Sequence, residues 1–367
     1  MIYLDNAATS LIKPVGVENA VVNAMRSMAS PGRGAHAPAM RAAETVFECR
    51  EAAARLFKVA DAENVVFTMN ATHALNIAIR SVVKPGSRVL VSGFEHNSVT
   101  RPLRMLTDDI TVAGSRLFDE ENTLSEFDEK LRRADAVICT HVSNAFGYIL
   151  PVYEIAALCR RAGVPLIVDA SQSAGVLDVD FARLGAAFVA MPGHKGLFGP
   201  QGTGILLCGA DALPLMSGGS GSDSISQTMP DYLPDRLEAG TLNVPGYAGL
   251  TEGLRFVRRT GVENIFRREH RQLERCAEGL QKLGMEVFAG AHQVSTVSFR
   301  PGMDCEEAAA FLAKQGIAVR AGLHCAPFAH ESAGTLESGT VRVSFGHDAS
   351  DAQTDAFLRT VSKLPRV

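Results

Sequence analysis

The residues best suited to chemistry stand where apolar runs of the sequence end. His194 and Lys195 follow the run "AAFVAMPG", and Asp169 closes the run "VPLIVDA". Together with similarly placed residues they offer an acid, a primary amine, imidazoles, two amides and the start of a helix. The full set is Thr72, His96, Asn144, Asp169, Gln172, His194 and Lys195.

Taken singly, these side chains have ordinary structural explanations. Thr72 suits a helix N-cap, Asn144 a turn, and Lys195 a solvated surface position. Asp169 suits a cap for the turn that follows it, and His96 a surface or core histidine. Their shared position changes the expectation, because ligands of open α/β sheets bind outside the carboxyl ends of the strands. We therefore expect the set to line one site at one edge of a sheet.

Pyridoxal phosphate is the cofactor that requires such a set. It needs a lysine for its Schiff base and a carboxylate at its pyridinium nitrogen. Its phosphate suits a helix N-terminus, where free N–H groups and the helix dipole favour an anion. Its ring can stack on an aromatic side chain, and its phenolic oxygen accepts hydrogen bonds from amides. The sequence thus predicts a pyridoxal phosphate site.

The elements that would position these residues alternate along the chain. Apolar strand-like runs such as "RVLVSG", "AVICTHV" and "GILLCG" alternate with helical patterns such as "VYEIAALCRRAG". Near-continuous apolar strands separated by helices predict an α/β fold with a mostly parallel sheet covered on both faces. A Gly- and Ser-rich stretch, "SGGSGSDSISQTMPDYLP", then predicts an irregular loop at an active site or interface. Beyond about residue 250 a helical stretch and a strand–helix–strand order predict a smaller α+β domain.

Length and composition set the class of protein. The chain has 367 residues, of which 46% are hydrophobic and 21% charged, as in an ordinary globular protein of two or three domains. Its formal net charge of −4 gives no general attraction to nucleic acid or to an anionic membrane. No apolar run is long enough to cross a membrane, and the start lacks a signal-peptide pattern, so a cytoplasmic location is expected.

Cysteine usage singles out one thiol. The seven cysteines are scattered without any CxxC pair, which favours free thiols in a reducing compartment and gives no metal site. Most should pack as small hydrophobic residues. Cys325 instead lies in the loop-like stretch "VRAGLHCAP". Arg320 and His324 would favour its reactive thiolate form if they lie close to it in space.

Four motifs carry a resemblance to a known family. "DASQSAG", "PGHKGLFGPQGTGIL", "RLEAGTLN" and "VRAGLHCAP" resemble the class V aminotransferase family of fold-type I pyridoxal phosphate enzymes, in its cysteine desulfurase and selenocysteine lyase branch. The resemblance runs from "YLDNAATS" to "VRVSFG" and so covers nearly the whole chain. It implies a large cofactor-binding domain over residues 14–255 with a mostly parallel seven-stranded sheet. Residues 1–13 and 256–367 would form the small α+β domain.

The resemblance also implies roles around the cofactor ring. Lys195 would form the Schiff base and later move protons, and Asp169 would keep the pyridine nitrogen protonated. His96 would stack on the ring. Asn144 and Gln172 would contact its phenolic oxygen.

Further roles concern the phosphate, the partner subunit and the substrate. Thr72, the Ala71 backbone and His194 would hold the phosphate, and Thr241 would reach the phosphate of the other subunit of a homodimer. Arg342 would pair with the substrate carboxylate, since the guanidinium fork matches a carboxylate with two hydrogen bonds.

Four positions are less typical or less decisive. His73 stands where the family often has Glu, and Pro192 stands where it often has Ser. Pro192 would lose one phosphate hydrogen bond, whereas His73 would either replace it or face the substrate. Arg33 and His36 in "GRGAH" fit an active-site role or simply a turn before a helix.

The implied activity is the cleavage of L-cysteine to L-alanine, with the sulfur held on Cys325 as a persulfide. An acceptor protein would then take the sulfur for pathways such as iron–sulfur cluster assembly. A selenocysteine lyase, another pyridoxal phosphate-dependent C–S lyase and an aminotransferase are alternatives on the same scaffold. A non-catalytic protein that delivers sulfur or scaffolds a partner is disfavoured, because it has no need to keep Asp169, His194 and Lys195.

Overall fold

The computed structural model describes residues 1–32, 34–222 and 224–364. The strands in these ranges are β1 (Ile2–Tyr3), β2 (Val65–Thr68), β3 (Val89–Ser92), β4 (Ile110–Ala113), β5 (Ala136–Thr140), β6 (Leu166–Asp169), β7 (Phe188–Pro192), β8 (Gly204–Cys208), β9 (Glu286–Phe288), β10 (Thr296–Arg300), β11 (Ile317–Ala318), β12 (Arg320–Gly322) and β13 (Thr340–Ser344). The helices are α1 (Val15–Ser27), α2 (Ala37–Phe57), α3 (Ala71–Val82), α4 (Asn97–Arg104), α5 (Glu120–Leu131), α6 (Val152–Ala162), α7 (Phe181–Leu184), α8 (Val244–Thr260), α9 (Val262–Lys282), α10 (Cys305–Lys314), α11 (Pro327–Ser332) and α12 (Asp351–Val361).

Seven strands form the large sheet, in the order β2-β8-β7-β6-β5-β3-β4. All neighbours are parallel except β8, which runs antiparallel to both β2 and β7. Strands β5 to β8 are buried along their whole length, as their uninterrupted apolar sequences require. The predicted α/β fold with a mostly parallel seven-stranded sheet is confirmed.

Helices cover both faces of this sheet. Apolar residues of α2, α5, α6 and α8 pack in one core on one face, and those of α3 and α4 pack in a second core on the other. A buried ion pair ties α2 to the chain just before α8, because Arg50 contacts both carboxylate oxygens of Glu238 at 2.8 and 2.9 Å.

The carboxyl-terminal part builds a smaller unit with its own core. The antiparallel sheet β12-β13-β10-β9 packs with α9, α10 and α12 around apolar residues such as Phe299 and Phe357. The chain start joins this unit, because β1 pairs in parallel with β11. The boundaries proposed above, residues 14–255 against 1–13 and 256–367, remain a prediction.

Two connections correspond to stretches singled out in the sequence, the helical region after residue 250 and the Gly- and Ser-rich loop. The helical stretch after residue 250 is divided between α8 and α9 at Gly261, whose φ of 82° is one that glycine adopts most readily. Between β8 and α8 the described residues form only turns and bends, as expected for the Gly- and Ser-rich loop. No helix in the described ranges is long and apolar enough to cross a membrane.

Candidate active site

A cleft of about 220 Å³ lies at the carboxyl edge of the large sheet and brings together ten of the predicted site residues. The small unit closes one side of it through residues that precede α11 and through β13. The predicted residues that line it are Ala71, Thr72, His96, Asn144, Asp169, Gln172, His194, Lys195, Cys325 and Arg342.

Strand register explains why distant residues meet there. Asp169, the last residue of β6, is paired with Thr140 at the end of β5 and with Ala190 in β7. Lys195 follows three residues after β7 ends. The Asp169 carboxyl group is buried and accepts a hydrogen bond from the Ser171 N–H at 2.9 Å. Adjacent strand ends thus place the acid beside the amine.

Lys195 is half-buried, and its side-chain amine is a weaker base than that of a free lysine. The pKa of its amine is lowered from 10.5 to about 8, mainly by burial; Asp169 opposes this shift, and the cations of Arg342 and Arg320 add to it. A larger share of the amine is therefore uncharged near neutral pH than in a free lysine. This is the form that attacks carbonyl compounds.

The N-terminus of α3 offers donors for an anion. The Asn70 carbonyl-type side-chain oxygen accepts the His73 N–H at 2.9 Å and caps the helix. Among the described residues, the N–H groups of Ala71 and Thr72 donate to no protein atom. The Thr72 hydroxyl lies 2.8 Å from the hydroxyl of Ser98. Free N–H groups and hydroxyls at a helix start form a phosphate site.

The two atypical positions behave differently. His73 does not line the cleft, and its ring nitrogen Nδ1 accepts the Met69 N–H at 3.3 Å. Burial also lowers the pKa of His73, so its ring does not replace a phosphate donor with positive charge. Pro192 does line the cleft and offers no N–H.

His96 and His194 are both neutral in the cleft. The pKa of each ring is lowered to about 4, mainly by burial and in smaller part by the nearby Lys195 cation, while Asp169 opposes the shift at His96. His96 is fixed by Ser98, whose N–H donates to its Nδ1 at 3.0 Å. A fixed, uncharged imidazole is suited to stacking on an electron-poor ring.

Arg342 and Asn144 present polar atoms that lack protein partners. The Arg342 guanidinium is almost fully buried, and its Nη2 donates to Asp5 Oδ1 at 2.6 Å while Nη1 donates to the Asn144 carbonyl oxygen at 3.0 Å. Its Nε and the side-chain oxygen Oδ1 of Asn144 are buried without a hydrogen bond in the described structure. Buried polar atoms are usually paired, so these two indicate where a ligand completes the site.

Cys325 is the exposed thiol of the chain, whereas the other six cysteines are buried. It lies in the short turn between β12 and α11 and lines the cleft. Cys325 and His324 both have left-handed backbone, with φ of 57° and 52°, which is costly for non-glycine residues and typical of functional sites. The Asn97 N–H donates to the Cys325 carbonyl at 2.8 Å, so the turn is pinned to α4.

A chain of neutral rings lies behind this turn. His324 is buried, with its Nδ1 3.2 Å from His330 Nε2 and its Nε2 3.3 Å from the Arg320 carbonyl oxygen. Burial lowers the pKa of His324 well below its usual value and that of His330 to about 4. Burial thus disfavours the charged form of His324, which opposes the expected role of this ring as a positive charge beside Cys325. Arg320 does line the cleft.

Two of the described predicted residues, Thr241 and His36, do not line the cleft. Thr241 is exposed and borders a separate surface depression together with Gly219 and Gly240. His36 is exposed and caps α2, where its Nδ1 accepts the Ala39 N–H at 3.4 Å. Arg33 lies outside the described residues.

Three residues that support the site were not predicted from the sequence. Ser98 links the His96 ring to the Thr72 hydroxyl, and Asp5 holds Arg342. Glu95 is fully buried behind His96, where it accepts the Thr140 N–H at 2.7 Å, and burial raises its pKa to about 8. Glu95 and Ser98 flank His96 in the sequence, and this closeness was the one available signal.

The residue set fits pyridoxal phosphate. The cleft combines an amine of lowered pKa, a buried carboxylate on the next strand and a neutral imidazole. It also has unpaired N–H donors at the start of α3 for a phosphate. These are the groups that the cofactor requires.

Comparison with known proteins points the same way. A sequence model of the family described as aminotransferase class-V matches residues 2–357. The chain is 31% identical to a "probable cysteine desulfurase" of Pyrococcus abyssi and 33% identical to one of Methanothermobacter thermautotrophicus, and each match covers 99% of this chain and 94% of the relative. The apo structure of a cysteine desulfurase from Thermococcus onnurineus superposes with a TM-score of 0.91 at 33% identity, covering 99% of this chain and 94% of that one.

Proposed function

The chain belongs to the class V aminotransferase family, and from this premise we propose that it is a pyridoxal phosphate-dependent cysteine desulfurase. It converts L-cysteine to L-alanine and holds the released sulfur on Cys325 as a persulfide. The observation that carries the proposal is the exposed thiol of Cys325 in the same cleft as Lys195 and Arg342. An aminotransferase needs the lysine and the arginine but has no use for the thiol.

The cofactor would be held by residues already described. Lys195 would bind it covalently, Asp169 would face its ring nitrogen, His96 would stack on the ring, and the α3 N-terminus would hold its phosphate with Thr72. When bound, pyridoxal phosphate supplies an electron sink that stabilises the carbanion formed at the substrate α-carbon. The weakly basic Lys195 amine is suited to remove a proton and return it near neutral pH.

Arg342 would bind the carboxylate of L-cysteine. Its buried Nε lacks a partner in the described structure, so a substrate oxygen can accept that hydrogen bond without displacing a protein group. The guanidinium stays charged although burial lowers its pKa, because Asp5 stabilises the cation. This pairing orients the amino group of the substrate toward Lys195.

Cys325 would take the sulfur by direct attack. A bond forms between its thiolate sulfur and the substrate sulfur as the carbon–sulfur bond of the substrate breaks. The electron pair of the broken bond stays with the carbon fragment, which becomes L-alanine on protonation, and Cys325 is left as a persulfide. The attack needs the thiolate form of Cys325.

The decisive experiment gives the loaded protein L-cysteine or L-selenocysteine and quantifies L-alanine with sulfide or selenide. Cys325→Ser should keep the visible absorbance of the lysine-bound cofactor and lose roughly 100-fold or more of alanine formation from L-cysteine, because a hydroxyl is a poor nucleophile toward sulfur. Cys305→Ala, which removes a buried thiol at the start of α10, is the control and should behave as the unmodified protein.

Each alternative gives a different result. Normal alanine formation by Cys325→Ser would refute the role of the thiol. Faster selenocysteine turnover that survives the same substitution would favour a selenocysteine lyase. Conversion of the cofactor to its amine form would indicate an aminotransferase. An enzyme should show the visible band of the lysine-bound cofactor, and Lys195→Ala should abolish that band. If the unmodified protein shows no such band, a non-catalytic scaffold is favoured.

We further propose a homodimer in which Thr241 completes the phosphate site of the partner subunit. Thr241 is remote from the cleft of its own chain, so a phosphate role requires a second chain. Exposed apolar side chains on α1, among them Val15 and Met25, suit a buried interface. Mixing Thr241→Ala with Lys195→Ala chains tests this arrangement. A mixed dimer would carry both defects at one site and leave the other intact, so partial activity would return.

A further inference from the structure

We propose that residues 5–10, the N-terminal strap, set the spacing between the carboxylate-binding Arg342 and the turn that carries Lys195. Within the strap, Asp5 is a positioning residue that acts through Arg342. The inference rests on the proposed function in one respect, namely that Arg342 binds the substrate carboxylate. It adds a determinant of substrate selection, because the strap would favour α-amino acids over longer analogues.

One end of the strap is fixed to β13. Asp5 Oδ1 accepts from Arg342 Nη2 at 2.6 Å, in a pair whose side chains are 20% and 2% exposed. The Asn6 side-chain amide donates to the Ser344 carbonyl at 3.1 Å, and the Ala7 N–H donates to the Ser344 hydroxyl at 2.9 Å. These bonds connect the start of the chain to β13, the strand that carries Arg342, and they fix the position of the Arg342 guanidinium.

The other end of the strap is fixed beside Lys195. The Thr9 hydroxyl, the Ser10 N–H and the Ser10 hydroxyl all donate to the carbonyl oxygen of His194, each at 3.1 Å. Between the two ends, the Gln172 side-chain amide donates to the Ala7 carbonyl at 2.9 Å. The residue that precedes the lysine is thus held by the same short segment that holds Arg342.

The consequence is geometric. Arg342 belongs to the small sheet and Lys195 follows a strand of the large sheet, so no common strand register relates them. Within its six residues, 5 to 10, the strap hydrogen-bonds to Arg342 and to the carbonyl oxygen of His194, the residue before Lys195. In an α-amino acid one carbon separates the carboxylate from the amine, so both groups bind together only at one spacing between guanidinium and lysine. The bond at the Arg342 end is charged, and a charged hydrogen bond fixes orientation more firmly than a neutral one does.

Asp5 also determines which donors of Arg342 remain available. With Nη2 on Asp5 and Nη1 on the Asn144 carbonyl, Nε is the guanidinium nitrogen that has no hydrogen-bond partner among the described residues. Removing the Asp5 carboxylate releases Nη2 and lets the guanidinium turn. Asp5 is thus expected to assist binding of the substrate carboxylate and not to compete with it.

The test compares Asp5→Ala, Asp5→Asn and the surface control Asp178→Ala in the cofactor-loaded protein. For Asp5→Ala we expect KM for L-cysteine to rise about tenfold or more while kcat changes less than about threefold, because the lost interaction orients the substrate carboxylate. Dissociation constants for L-alanine and for cysteamine, which lacks the carboxylate, are read from the visible spectrum. The constant for L-alanine should rise in parallel with KM, and that for cysteamine should stay unchanged.

Asp5→Asn keeps a hydrogen-bond acceptor for Arg342 but loses the charge, so it should recover most of the loss. If Asp5→Ala fails to fold, the smaller loss that remains in Asp5→Asn should still affect L-alanine and leave cysteamine unchanged, and a loss absent for both ligands would overturn the proposal. In an Arg342→Ala background, Asp5→Ala should add less than about twofold, because the two residues act through one interaction. An equal loss for L-alanine and cysteamine, an undiminished loss without Arg342, or a fall in KM would each overturn the proposal. Failure of the unmodified protein to release sulfur would instead refute the proposed function, and the L-alanine measurement would still test the strap.

Discussion

Replacing the active-site lysine should make the cofactor-free protein more stable at neutral pH. Lys195 is half-buried, and burial lowers the pKa of its amine from 10.5 to about 8. Below pH 8 the folded chain must keep a proton on an amine that its surroundings disfavour, whereas the unfolded chain carries that proton in water at no cost. Lys195→Met removes this penalty while filling a similar volume.

The size of the gain follows from the pKa. Each pKa unit corresponds to about 1.36 kcal/mol, so the lowering to about 8 amounts to at most about 3 kcal/mol. Because the side chain lines an open cleft, solvent screening reduces this to about 2 kcal/mol. For a chain of 367 residues, the unfolding entropy converts that gain into a rise in Tm of roughly 3 °C.

The gain also disappears with rising pH in a defined window. The unfolded lysine binds more protons than the folded one between pH 8 and pH 10.5, so the unmodified protein gains relative stability as the pH rises through this range. The advantage of Lys195→Met should be full at pH 7 and absent at pH 10.5. Thermal unfolding of the cofactor-free protein at both pH values measures it, with the exposed Lys314→Met as control. The reasoning is refuted if Lys195→Met brings no gain at pH 7, or if the gain persists at pH 10.5.

Three other substitutions test the fold and the site. Arg50→Met leaves a buried carboxylate unpaired and should cost about 3–5 kcal/mol in denaturant unfolding, whereas Arg55→Met in an exposed pair should cost less than about 1 kcal/mol. Gly253→Ala places a methyl group 2.1 Å from a backbone oxygen two residues past Lys195, so it should lower the free energy of unfolding by about 1–3 kcal/mol and weaken cofactor binding. Gly16→Ala is the control and should be tolerated, because its methyl group meets only the flexible end of a side chain at 3.1 Å. His330→Gln should lower turnover about fivefold at every pH from about 6 to 8 without shifting the pH profile, because the ring it replaces has a pKa of about 4 and does not titrate there.

The large sheet and the main site residues could be predicted because one rule covers them. Uninterrupted apolar runs predict buried parallel strands, and parallel strands end at a common edge, so Asp169 and Lys195 had to lie close together. Local signals also sufficed for the end of α6, where Gly163 takes left-handed backbone after basic residues. These inferences need only the order of the elements.

Other properties depend on contacts that the sequence does not encode locally. Asp5 and Arg342 are 337 residues apart, and no motif links them. Burial of the His324 ring disfavours its charged form. Its sequence neighbours Arg320 and Cys325 gave no indication of this burial. The position of Thr241, remote from the cleft, likewise depends on the path of an irregular loop.

The unequal exposure of the cysteines has a consequence for the path of the transferred sulfur. A persulfide exchanges readily with any thiol that it can reach, and so a second accessible cysteine would divert its sulfur within the protein. Six of the seven cysteines are buried, which leaves Cys325 without a competitor on its own chain. Under the proposed function, each chain would carry the transferred sulfur on this one thiol and would release it only to a molecule that comes to the mouth of the cleft.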